Sequence, residues 1–547
     1  MTQAPSHTTV LIIGGGPAGL LTSVLLARYG IASVIVEKYG ERRGQPKAHA
    51  INPRSLEILR QAGVDTKTLR ASGANEEDGG LVRFVDSVAG VQLGSIPYER
   101  QDKEVLECTP EPLFNIAQPK VEDHLRDVSE KTGLVSLLKL WQWESCIQEG
   151  DGSILSAVTN RMTGALSKIR SRYLIGCDGS NARSRNQLGI PFEPLYGHGV
   201  SPIHYVSVHI KADFSSLPPG ILWFVMNDEK VETFICYDRR EEWVFIMNFD
   251  PSEIHESEFT EAYSHKALCL QALGRPLPYQ VRQITAWSTL PRIAQSYRSA
   301  TIRNAFLAGD AAHAFPSTGG LGINTGFGDV HNLVWKISAV EKGWVASDAF
   351  LDTYTEERRP VAVANSKQSA INQIKIGRLA EALFRGNVDI EARIADPASR
   401  REIEAALNDN RDHFDSLNLQ IGYIYGSPID RNCSDFIPEV RPGARLPHAW
   451  VERDGRRLSS LDLVDGFSFV LLVSQDFPIS TGHSRISVPV TVLRLGQDIF
   501  DASGRWTHLL GLDASSTGVV VRPDQHIIAS VGSVDEFVLL ITRFLGR

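Results

Sequence analysis

The sequence predicts a mixed α/β chain in which a parallel-sheet domain is interrupted by an antiparallel sheet and followed by a further domain. Two segments, 10–28 and 301–337, each show a buried strand, a glycine-rich turn and a helix, as parallel β-α units do. Between them, residues 191–281 contain alternating, aromatic-rich runs typical of antiparallel strands with one covered face. A chain of 547 residues is also too long for one core and indicates about three or four domains.

The first β-α unit carries the spacing of a dinucleotide-binding turn. Four apolar residues form a buried strand, and Gly14, Gly16 and Gly19 follow in GxGxxG spacing before an apolar helix. The first glycine allows a tight turn, the second admits a pyrophosphate, and the third lets the helix pack on the strand. The next strand ends at Glu37, which is placed to accept a hydrogen bond from an adenosine ribose. This pattern predicts a bound dinucleotide and leaves FAD, NAD and NADP open.

Two loops and one strand end in the next part of the chain are candidate ligand positions. Lys47 lies in the loop before a predicted helix at 54–62, and Gln118 stands beside a proline at the start of another helix. A further buried strand ends at Asp178, followed by glycine. An aspartate in this position either binds a ligand hydroxyl or caps the next helix.

The parallel-sheet pattern resumes after the antiparallel segment. A strand at 305–308 ends at Gly309 and Asp310, and a glycine-rich loop at 319–322 opens a long helix. Such a loop presents several N–H groups to an electron-rich ligand edge. A reduced flavin, which is negative at N1 and O2, fits that description.

Composition and charge exclude several classes of function. The formal charge is −8 without a long run of one sign, which argues against a nucleic-acid or anionic-membrane surface. The chain has no run of about 18 apolar residues and no secretory pattern at its polar start, so we expect a cytoplasmic protein. The six cysteines show no CxxC or zinc spacing and the histidines no metal pattern, so no metal site is predicted.

Three motifs in this order resemble those of the class A FAD-dependent aromatic hydroxylases. They are the GxGxxG turn with Glu37, the CDG at 177–179, and GDAAH…P…GGxGxN at 309–324. The likeness is to the phenol hydroxylase and 2,4-dichlorophenol hydroxylase branch, which includes hydroxylases of polyketide aromatics. Segments 422–428, 441–450 and 458–472 resemble the linker and the C-terminal thioredoxin-like domain of its longer members.

The resemblance implies a domain layout with a Rossmann-like FAD-binding fold of the p-hydroxybenzoate hydroxylase type. The FAD-binding domain would comprise 1–75, 105–190 and 285–375, the substrate-binding sheet domain 76–104 and 191–284, the helical linker 376–430, and the thioredoxin-like domain 431–547. The last domain has no CxxC, since the only cysteine of its region is Cys433, so we expect a structural role or an oligomer contact there.

The resemblance also implies roles for individual residues. The FAD-binding set would comprise Gly14, Gly16 and Gly19 at the pyrophosphate with Ala18 in the same turn, Glu37 at the adenosine ribose, Lys47 and Gln118 near the phosphate-ribityl region, Asp178 in the CDG motif, Asp310 at the ribityl chain, and Gly320, Leu321, Gly322, Ile323 and Asn324 at the flavin ring. Relatives use the motif of Asp178 for NADPH as well, which explains why no second GxGxxG is needed.

The chemistry of this family implies three steps. NADPH or NADH reduces FAD, dioxygen adds at flavin C4a, and the resulting hydroperoxide hydroxylates an electron-rich ring. A base near a phenol helps, because deprotonation makes the ortho and para carbons more nucleophilic. His49 is the candidate base, since its loop should cross the active side of the flavin; a histidine that only binds backbone is the alternative. Tyr237 and Arg239 are further candidates, with a solvated turn as the alternative.

The chain departs from the family pattern in a few places. Ala182 stands where relatives often have serine, and Ser317 stands where they have a second proline beside the substrate site. Alignment with phenol hydroxylase-like members places Phe245 and Met247 where those proteins have an Arg-x-Tyr pair. Several aromatic residues of the inserted sheet predict either a roomy pocket for planar rings or ordinary core packing: Trp223, Phe224, Phe234, Trp243 and Phe245.

The function predicted from the sequence is an NAD(P)H-consuming FAD monooxygenase that hydroxylates a phenolic or polyketide-type aromatic substrate, with the family implying a homodimer. Baeyer–Villiger oxidation or epoxidation of a natural product by the same flavin chemistry is an alternative. A non-catalytic flavoprotein whose C-terminal domain is an interaction module is another, although the intact GGLGIN loop argues against it. A flavin halogenase is excluded, because the WQW at 141–143 lacks the Ile-Pro of the halogenase motif.

Overall fold

The computed structural model describes residues 4–41, 48–195, 201–227, 230–267, 272–385, 390–429, 432–478 and 486–547. Its first elements, in chain order, are β1 (His7–Ile13), α1 (Pro17–Arg28), β2 (Ser33–Glu37), β3 (Ala50–Ile51), α2 (Pro53–Gln61), α3 (Thr66–Ala71), α4 (Glu76–Gly79), β4 (Leu81–Val85), β5 (Gln92–Pro97), β6 (Phe114–Asn115), α5 (Gln118–Lys131), β7 (Val135–Lys139), β8 (Trp141–Gln148), β9 (Ile154–Asn160), β10 (Leu166–Gly176), α6 (Arg183–Gln187) and β11 (Phe192–Pro194).

The middle of the chain alternates between sheet and long helices. Its elements are β12 (Ile203–Lys211), β13 (Leu222–Met226), β14 (Val231–Asp238), β15 (Glu242–Phe249), α7 (Glu261–Ala267), β16 (Gln280–Thr289), β17 (Arg292–Ala294), β18 (Ala305–Leu307), β19 (His313–Ala314), α8 (Leu321–Glu341), α9 (Thr353–Phe384), α10 (Ile390–Ala395), α11 (Pro397–Asp409) and α12 (Leu417–Ile421). The C-terminal elements are β20 (Trp450–Arg453), β21 (Arg456–Ser459), β22 (Phe469–Val473), β23 (Val490–Arg494), α13 (Arg505–Leu509), β24 (Gly518–Val521), β25 (Ile527–Val531) and α14 (Val534–Phe544).

The first sheet is the parallel one that the glycine motifs predict. Its parallel strands lie in the order β7-β2-β1-β10-β18, and the first half of β10 continues antiparallel into β9 and β8. The apolar residues of β1 are buried, and α1 and α8 belong to the same core. Because parallel strands end at one edge, the chain beyond Ile13, Glu37, Gly176 and Leu307 gathers along a single crevice.

The second sheet is the inserted one, and it draws strands from two parts of the chain. Its order is β16-β12-β15-β14-β13-β4-β5, antiparallel except for the β13–β4 pair. One face packs with α7 and the segment around 272–281, and the other packs against α9 and α11. Two elements run across expected domain limits, since β16 continues past 284 and α9 past 375.

The C-terminal domain is built on a four-stranded sheet in the order β23-β22-β24-β25, in which only the β22–β23 pair is parallel. Helix α14 covers one face together with Trp335 and Ala339 of α8, so this domain shares a core with the first one. The other face packs with α13 and residues of 446–464. Among the described residues, no helix is both long and apolar enough to cross a bilayer.

Candidate functional site

In the glycine turn after β1, two glycines are in close backbone contact and a third has open space beside it. Gly14 has a φ of +100°, and a Cβ built there would lie 2.4 Å from the carbonyl oxygen of Cys177. A Cβ at Gly19 would lie 2.0 Å from the carbonyl oxygen of Gly14. A Cβ at Gly16 would meet no described atom within 4 Å, and Gly16 is the N-cap of α1. The helix N-terminus is therefore open at the position where a pyrophosphate approaches a dinucleotide-binding turn.

Glu37 lies at the end of β2 beside this turn. Its Oε2 accepts a hydrogen bond from the backbone N–H of Gly15 at 2.7 Å, and its Oε1 accepts one from Tyr39 at 2.8 Å. The carboxylate is thereby held next to the glycine turn, at the predicted ribose position. Ala18 faces the next motif, because a Cβ built at Gly309 would lie 3.2 Å from the Ala18 Cβ. The first turn of α1 and the GDAAH segment thus adjoin.

The glycine-rich start of α8 is bound to the loop at 48–52. Gly320 is the N-cap of α8 with a φ of +62°, and a Cβ there would lie 3.1 Å from that of Ala50. The side chain of Asn324 accepts from the N–H of Asn52 and donates to the carbonyl of Ala50, both at 2.9 Å. A Cβ at Gly322 would meet no atom of the described residues within 4 Å, whereas Leu321 and Ile323 pack against apolar neighbours. The helix start is open on one side and anchored on the other.

A buried ion-pair cluster supports the loop that carries Asp310. Asp310 is exposed in a short turn after β18, and the preceding Gly309 donates its N–H to Asp329 at 3.2 Å. Asp329 also bonds to Nε2 of His313 at 2.6 Å and to Nε of Arg358 at 3.0 Å. Burial would raise the pKa of Asp329, but these two partners hold it below its ordinary value. The sequence reasoning missed Asp329 and Arg358, although a charge within an otherwise apolar helix is a signal for a buried partner.

Asp178 caps a helix in this structure. Its carboxylate accepts from the N–H of Ser184 at 3.0 Å and from the Ser184 hydroxyl at 2.5 Å, in the first turn of α6. Of the two roles predicted for Asp178, ligand binding and helix capping, these contacts match helix capping. A ligand role at Asp178 stays a prediction.

Two arginines beside Asp178 were also missed by the sequence reasoning. The Arg185 guanidinium lies 3.8 Å from the ring centre of Phe192 and that of Arg292 lies 4.9 Å from it. Arg185 donates to the carbonyl oxygens of Ala311 and Ser180, and neither arginine forms an ion pair with a carboxylate of the described residues. Burial and the neighbouring Arg292 lower the pKa of Arg185. Two cations that form no close ion pair within the described part of the chain make this corner suited to an anionic ligand, although the more distant Asp178 partly offsets the charge of Arg185.

Gln118 lies at the start of α5, where the sequence places it. Its backbone N–H donates to the carbonyl of Ala48 at 3.0 Å, and its side-chain amide donates to Glu122 at 2.9 Å. Gln118 therefore borders the 48–52 loop. Lys47, the other residue predicted for the phosphate-ribityl region, lies outside the described residues.

The hydrogen bonds around His49 assign its tautomer. The Nδ1 atom of His49 lies 3.0 Å from Oδ1 of Asn115, and Nδ2 of Asn115 donates to the carbonyl of Gly79 at 3.0 Å. Because the amide nitrogen is used by Gly79, Oδ1 is the acceptor and His49 carries its proton on Nδ1. Burial lowers the pKa of His49 more than the bond to Asn115 raises it. The imidazole is therefore neutral near pH 7, with an unprotonated Nε2.

Two tyrosines flank this imidazole. The ring centre of His49 lies 5.8 Å from that of Tyr98 and 6.2 Å from that of Tyr237. Both tyrosines are buried, and burial raises the pKa of Tyr98 well above its ordinary value. The structure thus brings together His49 and Tyr237 and adds Tyr98, which sequence reasoning missed because it follows β5, remote from any motif.

Arg239 is engaged in structural contacts at the turn between β14 and β15. Its Nε lies 3.1 Å from Oδ1 of Asp78, its Nη2 lies 3.3 Å from Oε2 of Glu77, and its Nη1 donates to the carbonyl of Leu217. These contacts hold the turn on α4. They give the Arg239 guanidinium partners within the protein, so its presence does not require a contact with substrate. A catalytic role for Arg239 stays a prediction.

The aromatic residues of the inserted sheet divide between its two faces. Phe245 and Met247 belong to the core on the face away from Tyr237, with Trp223, Phe234 and Trp243. Phe245 and Met247 therefore lie on the face opposite Tyr237, because alternate residues of a strand point to opposite faces. The residues of β15 that share the face of Tyr237 are Val244 and Ile246. Of the five aromatics, only Phe224 packs on that face, where it stacks with Phe84.

The carbonyl groups on either side of Ser317, where relatives have a second proline, are fixed by hydrogen bonds. The hydroxyl of Ser369 in α9 makes hydrogen bonds to the carbonyl oxygens of Pro316, at 2.8 Å, and of Thr318, at 2.6 Å. Ala182, at the other departure, is buried before α6.

Together, the open positions at Gly16 and Gly322 and the exposed Asp310 carboxylate fit a cofactor with a pyrophosphate in its middle and a flavin ring at one end. This fold and edge define a flavin-dependent oxidoreductase. Residues 7–369 match the family model described as FAD binding domain, and residues 439–546 match aromatic-ring hydroxylase, C-terminal. The chain belongs to the FAD-dependent aromatic-ring hydroxylases. It is a monooxygenase that uses FAD, a reduced nicotinamide and dioxygen, and the predicted fold class is confirmed.

Two relatives and a solved structure match nearly the whole chain. The 2,4-dichlorophenol 6-monooxygenase of Cupriavidus pinatubonensis is 27% identical, over 99% of this chain and 97% of the relative. A putative polyketide hydroxylase of Streptomyces halstedii is 29% identical, over 94% and 92%. The flavin-dependent monooxygenase PieE, solved in complex with FAD and substrate, superposes with a TM-score of 0.88 at 25% identity, covering 99% of this chain and all of the other.

Proposed function

We propose that this enzyme hydroxylates a phenolic or polyketide-type aromatic ring and that His49 is the base that activates the ring. The observation that carries the proposal is the neutral His49 imidazole, whose Nδ1–H is bound by Asn115 and whose Nε2 has no hydrogen-bond partner among the described residues. The loop of this histidine is joined to the start of α8, where the flavin ring would lie. FAD, when bound, supplies the oxygen-activating chemistry of this class.

Different residues along the sheet edge would bind different parts of FAD. Glu37 would hold the adenosine ribose, the turn of Gly14, Gly16, Ala18 and Gly19 the pyrophosphate, Asp178, Asp310, Gln118 and Lys47 the connecting chain, and the segment from Gly320 to Asn324 the electron-rich ring edge. The helix N-termini support this assignment, since their free N–H groups favour negative charge. The backbone of Gly322 is accessible for such a contact.

His49 would accept the proton of a ring hydroxyl at Nε2. Loss of that proton makes the ring carbons ortho and para to the hydroxyl more nucleophilic, which favours attack on electrophilic oxygen. Asn115 keeps the other nitrogen protonated, so that the base always presents the same atom. This arrangement favours hydroxylation of a phenol over Baeyer–Villiger oxidation or epoxidation, because neither of those reactions needs a deprotonated ring hydroxyl.

The reductant has a candidate site of its own. The Arg185 and Arg292 pair around Phe192 would bind an anionic part of NADPH or NADH, since a phosphate accepts hydrogen bonds from the guanidinium fork. This corner borders Asp178, in the motif that the family uses for both nucleotides. We also propose a homodimer in the cytoplasm, where reduced nicotinamide is available and the described cysteines stay free thiols.

The test of the activity is anaerobic stopped-flow absorbance of the FAD-loaded enzyme mixed with NADPH or NADH, with and without phenols and polycyclic hydroxyaromatics. We expect bleaching of the oxidised flavin band to accelerate with one aromatic class, and mass spectrometry after aeration to show one added oxygen atom. Flavin that stays oxidised under every condition would contradict the proposed activity.

The base is tested separately by His49→Ala and Asn115→Leu. We expect hydroxylation to fall by about 100-fold or more in the first, in line with the usual contribution of a positioned base, and by a smaller factor in the second. Flavin reduction by NADPH should be unchanged in both, because the reductant binds at another corner. Full hydroxylation by His49→Ala would remove His49 from the mechanism.

A further inference from the structure

The tip of the β24–β25 hairpin in the C-terminal domain, residues 522–526, is buried against helix α2 of the FAD-binding domain. The Nη1 of Arg54 donates to the side-chain oxygen of Gln525 at 2.7 Å, and Nη2 donates to the carbonyl of Asp524 at 2.9 Å. All three residues are at most 3% exposed. Gln525 adopts a φ of +66° to reach this position and also donates to the carbonyl of Leu461. The contact is therefore a specific, dehydrated docking of two domains.

A second pair of charges binds the same helix from the same domain. Glu57 of α2 accepts two hydrogen bonds from Arg445, at 2.9 and 2.5 Å, and one from Arg54 at 3.1 Å. Thr109 donates to Glu57 as well, at 2.6 Å. Every one of these side chains is buried. Helix α2 is thus held on the C-terminal domain by charged and directional contacts on two successive turns.

The N-terminal end of α2, which carries Arg54, borders the proposed active site. Asn52, the N-cap of α2, accepts from Ser55 at 2.9 Å, and its own N–H donates to Asn324 at the start of α8. His49 lies three residues before Asn52. Since Arg54 lies two residues and Glu57 five residues after Asn52 in the same helix, a displacement of either is carried directly to the 48–52 loop.

The chemistry of these contacts points to positioning and not only to stability. Apolar packing of Leu56, Ile58 and Leu59 already anchors the helix, but such contacts are non-directional and tolerate small shifts. A buried ion pair adds little net stability over apolar residues of the same shape, because removing charges from water is costly. The two-pronged hydrogen bonds of the arginines instead fix the rotation of α2 about its axis and its position along that axis.

We propose that the 522–526 tip of the C-terminal domain positions the 48–52 loop, and with it His49, through helix α2. In this view the C-terminal domain is part of the architecture of the active site. The role of His49 in this inference rests on the proposed function, whereas the control of the loop geometry does not.

The test uses the full-length, FAD-loaded enzyme with Gln525→Leu and Arg54→Met, and Arg54→Lys as the conservative variant. Tyr29→Phe is the matched control, because it removes a hydrogen bond from the C-cap of α1 to Gly466 of the same domain and leaves every described hydrogen bond of α2 in place. The first readout is hydrogen exchange of the amides at 50–52, which needs no substrate. The second is the fraction of NADPH oxidation that ends in hydroxylated product and not in hydrogen peroxide.

We expect amide exchange at 50–52 to be about tenfold faster in Gln525→Leu and Arg54→Met, and the coupled fraction to fall several-fold, with partial recovery in Arg54→Lys. Flavin reduction and both readouts of Tyr29→Phe should match the wild type. Lower thermal stability with unchanged exchange and coupling would overturn the proposal. Gln525→Leu keeps every charge paired and decides the question if Arg54→Met fails to fold. An enzyme that hydroxylates none of the aromatics tested would contradict the proposed function, while the exchange readout would still decide this inference.

Discussion

The proposed cofactor end and the proposed substrate end of the site are built in different ways. At the cofactor end, the turn from Gly14 to Gly19 is one short segment in which backbone contacts within the protein require Gly14 and Gly19, while Gly16 is left open. At the substrate end, His49, Tyr98, Asn115 and Tyr237 come from four separate segments. A site formed by backbone groups of one segment can therefore be predicted from residue spacing. A site formed by side chains of several segments depends on which strands and loops become neighbours.

The electrostatics of the two ends differ as well. The cofactor end presents backbone N–H groups, the exposed Asp310 and two arginines without described counterions. The substrate end suppresses charge: burial lowers the pKa of His49, raises that of Tyr98, and raises that of the neighbouring Glu99 to about 7. A charged cofactor and a neutral aromatic ring would each meet a matching environment.

The largest effect should come from the buried support of the cofactor end. Asp329→Asn leaves Arg358 and His313 without their carboxylate, which should lower the free energy of unfolding by about 3–5 kcal/mol. Urea unfolding with and without FAD measures this change. The control is Asp123→Asn, which breaks an exposed pair with Arg126 and should cost less than about 1 kcal/mol. Equal losses in the two variants would contradict the comparison.

A pair of glycine variants separates folding from cofactor binding. Gly14→Ala places a side chain on a residue with positive φ and against Cys177, so the apoprotein should lose on the order of 2–3 kcal/mol of stability. Gly16→Ala meets no described atom, so apoprotein stability should change little while FAD affinity falls about tenfold or more. Thermal unfolding of the apoprotein and flavin fluorescence titration are the measurements. Unchanged FAD affinity in Gly16→Ala would remove the pyrophosphate from that position.

Glu99 gives the substrate end a pH dependence. Burial first, and then Asp415, raise its pKa from 4.5 to about 7 in the folded protein, although Ser416 and Gln420 donate to it. The folded state therefore binds this proton more tightly, and the associated stability, present below pH 4.5, is lost as the pH rises to about 7.

Replacement of Glu99 by glutamine removes this titration. Relative to the wild type, Glu99→Gln should gain up to about 3 kcal/mol of unfolding free energy between pH 5 and pH 8, since one pKa unit corresponds to about 1.4 kcal/mol. Urea unfolding at the two pH values measures it. A difference between the proteins that is the same at both pH values would show that Glu99 does not titrate in this range.

The smallest effect should come from Arg239. Because its guanidinium is bound by Asp78, Glu77 and Leu217, Arg239→Gln should alter kcat for hydroxylation by less than about threefold, with a loss of stability of about 1 kcal/mol. Tyr237→Phe, at the face of His49, should reduce kcat/KM more. Steady-state hydroxylation and thermal unfolding of both variants are the measurements. A large fall in kcat for Arg239→Gln alone would support a catalytic role for Arg239 and contradict this prediction.

The amino-acid sequence by itself determined the order of the elements, the insertion of one sheet into another domain, the cofactor edge and the family. It could do so because the spacing of Gly14, Gly16 and Gly19, the acid at Glu37 and the alternation of the inserted strands act locally on the backbone. The prediction of His49 as the base came from its loop, which lies beside a motif, and it stays a prediction.

Only the tertiary structure decided which residues meet. Strand register turned Phe245 away from the substrate face, loop packing brought Asn115 and Tyr98 to His49, and domain docking set Gln525 against Arg54. These contacts join residues separated by tens to hundreds of positions. No local preference of the chain encodes such pairs, because they form only when burial forces each polar group to find the partner that the completed fold places next to it.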